Sequence, residues 1–180
     1  MSVTENIEIA APTAHAVGPA DAPDVHGQID AIECAMLDSG DLIDCPLVHT
    51  FTPGMYIRTI FMPAGSLVTS KIHKHEHPYS ILQGRVRVFI PGVGVQELAA
   101  PFMGVTEPGT RRVLFILEDT VWATYHLNPT NTTDLVELED ELIEQRYLPD
   151  GSRAHDYYLA GLNEQLLDEP PVQLDYGGAP

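Results

Sequence analysis

The chain has 180 residues, and its 9 Lys plus Arg against 26 Asp plus Glu give a formal charge of −17. That is one domain of ordinary size, too acidic to expect a nucleic-acid or membrane-surface partner, since such a surface repels phosphate and anionic lipid. No apolar run nears the roughly 18 residues of a membrane span, the N-terminus lacks a basic n-region, and Cys34 and Cys45 are too few for a disulfide framework, so a reducing, cytoplasmic setting is expected.

The charge is unevenly spread. Residues 1–44 hold nine acids and no base, residues 131–180 hold twelve acids and two bases, and the middle is close to neutral. A core domain with appendages is expected, and with the patterns below the chain is read as an Ala/Pro-rich arm over 1–26, a short helix and linker over 27–44, a barrel over 45–130 and an acidic helical extension over 131–180.

In chain order, the arm (Ala10-Ala11-Pro12, Gly18-Pro19-Ala20, Ala22-Pro23) has no aromatic residue and too little apolar surface to offset its own ordering. It is expected to gain order only on another chain or on the outside of the barrel. Ile29, Ile32, Met36 and Leu37 recur at helical spacing up to Ser39-Gly40. Then come short segments rich in Val, Ile, Thr and aromatics: 46–52, 55–62, 66–73, 79–82, 85–90, 95–99, 102–106, 111–117 and 120–127. Pro-Gly, Gln-Gly and acidic breaks fall every 8–12 residues or so. That cadence predicts an all-β antiparallel sandwich or barrel. Asn131-Thr132-Thr133 then caps an acidic helix carrying a Leu135/Leu138/Leu142/Ile143 stripe up to about Tyr147, with a second weak helix over about 154–167.

Chemistry concentrates in His73-Lys74-His75-Glu76-His77. Alternate residues of an extended strand share a face, so His73, His75 and His77 can point one way, with His126 added from the last strand, in phase with Trp122 and Thr124. Such imidazoles suit a divalent transition metal: Fe, Zn, Ni or Mn. A bulge near Pro78 would instead turn His75 to solvent. His15, His26, His49 and His155 have no motif around them and read as surface residues.

Here the sequence resembles a cupin, a small double-sheet jelly roll whose first motif reads G-x5-H-x-H-x3,4-E-x6-G. Gly65, Lys71, His73, His77 and Gly84 keep that spacing. Lys71 stands for the first His and His77 for the Glu; His73 keeps its type and carries over as a ligand. In the second motif Glu107-Pro108-Gly109 resembles the turn, and Arg112 stands where a ligand His belongs. The resemblance covers about residues 45–130 and extends to small single-domain cupins of unassigned role from bacterial and phage genomes. It implies a double-stranded β-helix with a divalent metal inside.

Lys71 and Arg112 admit two readings. Either they enter the barrel and bind an acidic substrate bridging cation and metal, or Lys71 reaches the rim and Arg112 pairs with Glu107 or Glu118. Tyr56, Tyr79, Gln83 and Trp122 are candidates for a cavity wall, with Tyr79 as the proton-transfer residue two positions beyond His77. No nucleophile elbow, phosphate loop or dinucleotide fingerprint occurs, and neither cysteine has an activating partner. Two functions remain open: a metal-dependent enzyme acting on a small organic acid or sugar derivative, and a non-catalytic binding or assembly module, such as a structural component of a phage virion. A homo-oligomer is expected in either case.

Overall fold

The computed structural model describes residues 24–146. The N-terminal arm up to residue 23, Tyr147, the weak helix expected over 154–167, and His15 and His155 lie outside the described residues.

The order is α1 (Val25–Ser39), β1 (Leu47–Thr52), β2 (Gly54–Met62), β3 (Leu67–Thr69), β4 (His77–Ile90), β5 (Gly94–Ala99), β6 (Phe102–Thr106), β7 (Val113–Asn128) and α2 (Leu135–Leu142). All strand pairs are antiparallel. The two long strands build both layers. The C-terminal half of β7 pairs with β2, and its N-terminal end pairs with β3. Similarly, His77–Ile81 of β4 pairs with β6, and Arg85–Ile90 pairs with β5. One layer is thus β1-β2-β7-β4-β6 and the other β3-β7-β4-β5, an all-β jelly roll with short helices.

The breaks expected at Gln83-Gly84 and Glu118-Asp119 do not end strands; both lie inside β4 and β7. They are bends. Register slips between Ile81 and Val86 carry the paired strands around the corner from one layer to the other. Gly84 makes the corner possible: its φ is +86°, and a Cβ there would stand 2.3 Å from the Asp119 carbonyl oxygen. The segment expected as a strand over 66–73 forms a ladder only at Leu67–Thr69, with one isolated bridge from His73 to Ile143.

Met62, Ile81, Val86, Val88, Leu114, Ile116 and Trp122 fill the space between the layers. A second apolar cluster closes one end, where Leu138 and Leu142 of α2 pack on Tyr56, Phe51 and Ile143. The acidic helix is shorter than its stripe suggested. Asp134, not the preceding Asn-Thr-Thr run, accepts from the Val136 and Glu137 amides as its N-cap, and the chain turns extended at Ile143. Beyond α2 the backbone returns to the histidine segment: Glu144 N–H donates to Ile72 O, and Lys74 N–H donates to Leu142 O. Helix α1 is capped by Asp24 and ends at left-handed Gly40. Arg111, buried beneath it, pairs with Asp30 and Glu33. No helix among the described residues is long and apolar enough to cross a membrane.

Candidate metal centre

Three imidazoles from three places in the sequence meet where α2 closes the barrel. His73 lies in the irregular segment before β4 and is held by a backbone bridge to Ile143. His77 is the first residue of β4. His126 lies near the end of β7, opposite Tyr56 of β2. Ring centroids are 4.1 Å apart for His73–His77, 4.6 Å for His77–His126 and 5.1 Å for His73–His126. One nitrogen from each lies within 4.8 Å of the others. A first-row ion about 2.0–2.1 Å from each nitrogen would hold them about 3.0–3.5 Å apart, a spacing inside that limit.

The environment holds the imidazoles neutral, as ligands must be. Burial depresses His73 to about 2 and His126 to about 3, with the neighbouring rings adding to the effect. Burial also lowers His77, partly opposed by its hydrogen bond to the His75 backbone. That bond, from His77 Nδ1 to the His75 carbonyl at 3.2 Å, fixes the tautomer that leaves Nε2 free to ligate. The Thr124 hydroxyl lies 3.0 Å from His126 Nε2 and restrains that ring. The donor set fits a borderline transition ion.

His75 is not in the cluster. The chain bends at Lys74-His75, so face alternation fails there, and the His75 ring is exposed. Its carbonyl orients His77 instead. Tyr79 shares the inward face with His77, yet it sits in the core: its ring stacks on Trp122 at 4.5 Å and lies against Gly104, where no Cβ would fit. It is not among the residues lining the cavity, and burial raises its hydroxyl above the usual range. That direction is wrong for a base working near neutrality. Gln83 is exposed, Tyr56 packs under α2, and Trp122 does line the cavity.

That cavity, about 500 Å³, has His73 and His77 in its wall. Ile60, Met62, Val68, Leu114 and Trp122 give it apolar surface, and Arg58, Lys71, Thr106 and Arg112 add polar groups. Lys71 is tied to Glu139 of α2 in an ion pair, and burial lowers its ammonium to about 8. Arg112 pairs with neither Glu107 nor Glu118. Glu118 is taken by Arg85, and among the described residues Arg112 has no carboxylate partner. Its guanidinium carbon lies 5.4 Å from the centre of the Tyr79 ring.

Two features escaped the sequence reading. His49, read as a surface residue, is half-buried, with Nδ1 2.7 Å from the Tyr56 hydroxyl and its ring stacked on that of Tyr56. Glu139, one of many acids in the extension, turns inward to Lys71. Strand phase gave a hint for His49, since it alternates with Leu47 and Phe51; nothing in the sequence singled out Glu139.

No protein-family model and no curated protein sequence matches the chain. Among solved structures it is similar to an RmlC-like cupin family protein with a double-stranded β-helix fold from Methanocaldococcus jannaschii (10% identity, 50% of this chain and 86% of the other, TM-score 0.41). It is also similar to a cupin protein from Bacteroides fragilis (20% identity, 49% and 80%, TM-score 0.39). A third is a salicylate 1,2-dioxygenase from Pseudaminobacter salicylatoxidans (11% identity, 66% and 36%, TM-score 0.45), of which the match spans about a third. The pairing of β4 and β7 with both layers makes the fold of this chain a double-stranded β-helix.

Proposed function

We propose that this cupin is a metal-dependent enzyme acting on a small organic acid, with His73, His77 and His126 holding a divalent transition ion. The observation that carries the reading is the convergence of three neutral, largely buried imidazoles beside a cavity large enough for a small molecule. Three protein ligands leave coordination positions open, which a catalytic site needs and a structural site does not. A bound ion of this kind supplies Lewis-acid polarisation of a substrate oxygen or, as iron, a place for dioxygen.

The chain's own residues do the rest. The His75 carbonyl and Thr124 hydroxyl set the ring orientations. The apolar walls and α2 bury much of the imidazole surface, and Arg112 supplies positive charge for an acid. Lys71 is occupied by Glu139, so Arg112 takes over the anion-binding role that the sequence shared between them.

The test is metal content by elemental analysis after exposure to Fe, Zn, Ni and Mn in turn, followed by gel filtration. Near one equivalent per chain is expected for wild type and His75→Ala, and under a tenth for His73→Ala and His126→Ala. Turnover of a panel of small acids is expected in wild type loaded with the right ion and lost in His126→Ala. A wild-type chain that retains none of the four metals overturns the proposal.

A further inference from the structure

We infer that the acid bound in this cavity is an apolar monocarboxylate, its carboxylate on the Arg112 guanidinium and its hydrocarbon body against Met62, Leu114 and Trp122. The inference rests on the proposed metal-dependent reading for what lies beside the ligand, though not for the Arg112 contact itself.

Arg112 is 8% exposed, and its Nε has no hydrogen-bond partner. A guanidinium stays protonated at any physiological pH, so the fold encloses a positive charge without a counter-charge among the described residues. Buried charges are paired in folded proteins unless something outside the chain pairs them. The face of the Tyr79 ring offsets part of the cost and leaves Nε unmet. The planar, bidentate partner that suits such a fork is a carboxylate or a phosphate.

Charge and wall chemistry choose between these. Of the other cations in the wall, Lys71 is paired with Glu139, and Arg58 is also engaged within the fold. With Lys71 neutralised and the Asp44 carboxylate also in the wall, the lining among the described residues favours a monoanion over a phosphate dianion. The surface beyond it is mainly side-chain hydrocarbon: Ile60, Met62, Val68, Leu114 and Trp122 line the same space. An alkyl or aryl body gains by leaving water against these walls. His73 and His77 border the same cavity, so the ligand lies beside the metal ligands while Arg112 holds its acid group.

Calorimetric titration of the full chain, stripped of metal with a chelator and separately loaded with Zn, tests this at pH 7.5. Hexanoate and phenylacetate are the probes, with hexanamide and phenylacetamide as their uncharged counterparts and with succinate and inorganic phosphate as other anions. At least one monocarboxylate is expected to bind ten times or more tighter than its amide and tighter than succinate or phosphate. Arg112→Gln is expected to remove that tenfold preference while leaving metal content unchanged. Equal binding of acid and amide, tighter binding of phosphate or succinate, no binding of either acid at millimolar concentration, or an Arg112→Gln protein that keeps the preference overturns the inference. If Arg112→Gln does not fold, the acid-against-amide comparison in wild type decides. Acid preference in a protein that retains no metal overturns the metal reading alone. Bound metal without acid preference overturns the carboxylate alone.

Discussion

Lowering the pH of the metal-stripped protein from 7.5 to 5.0 is a perturbation whose cost follows from the site. Burial holds His73 at about 2 and His126 at about 3 in the folded chain; unfolded, each returns to about 6.5. Below about pH 6.5 the unfolded chain therefore binds protons that the folded chain refuses. Stability falls by about 1.4 kcal/mol per pH unit for each imidazole, and goes on falling until the pH reaches the folded-state values. At pH 5.0 this amounts to about 2 kcal/mol per residue and about 4 kcal/mol for the two, against a total of about 5–15 kcal/mol for a domain. Above pH 6.5 the two contribute no slope. The assay is urea unfolding followed by fluorescence of Trp122, the single tryptophan, 7% exposed in the core. The extrapolated stability is expected to drop between pH 7 and 5, before most carboxylates titrate. The His73→Gln/His126→Gln double variant is expected to show a much flatter profile. A wild-type profile flat from 7.5 to 5.5, or an equal slope in the double variant, refutes the picture of buried neutral imidazoles.

Other outcomes follow from single positions. Leu138→Ala in α2 removes a side chain that is 2% exposed and is expected to cost about 2–5 kcal/mol in urea unfolding; because α2 ends beside His73, metal affinity should fall with it. Gly84→Ala puts a Cβ 2.3 Å from the Asp119 carbonyl oxygen at a φ of +86° and is expected to lower stability by about 2–4 kcal/mol, read as a lower Tm. Arg112→Met exchanges an unpaired buried cation for an apolar chain and is expected to stabilise the protein by about 1–2 kcal/mol while abolishing acid binding, as groups kept for function do.

The antiparallel architecture was legible because strand cadence and turn residues are local properties. So was the helix ending at Gly40, where only a residue that tolerates left-handed φ stops the chain cleanly. The reading went astray where a local signal had a second use. Gln83-Gly84 looks like a hairpin turn, and in the fold the same glycine bends one continuous strand between layers. Tyr79, in the right phase to face the site, was drawn into the core by Trp122.

For the centre itself, the amino-acid order supplied candidate ligands and little more. His73 and His77 came from the histidine cluster at 73–77 and, for His73, from the resemblance to the cupin motif between Gly65 and Gly84; His126 came from strand phase. Excluding His75 needed the bend at Lys74-His75, which forms because the segment pairs with Ile143, about seventy residues away. Which cation stays available was equally a tertiary matter. Lys71 and Arg112 are alike in sequence terms, and Glu139 neutralises one only because α2 packs across the barrel end and carries that carboxylate inward. Periodicity is written residue by residue along the chain and survives in the sequence. Pairing across the barrel depends on where distant segments come to rest, and only packing decides it.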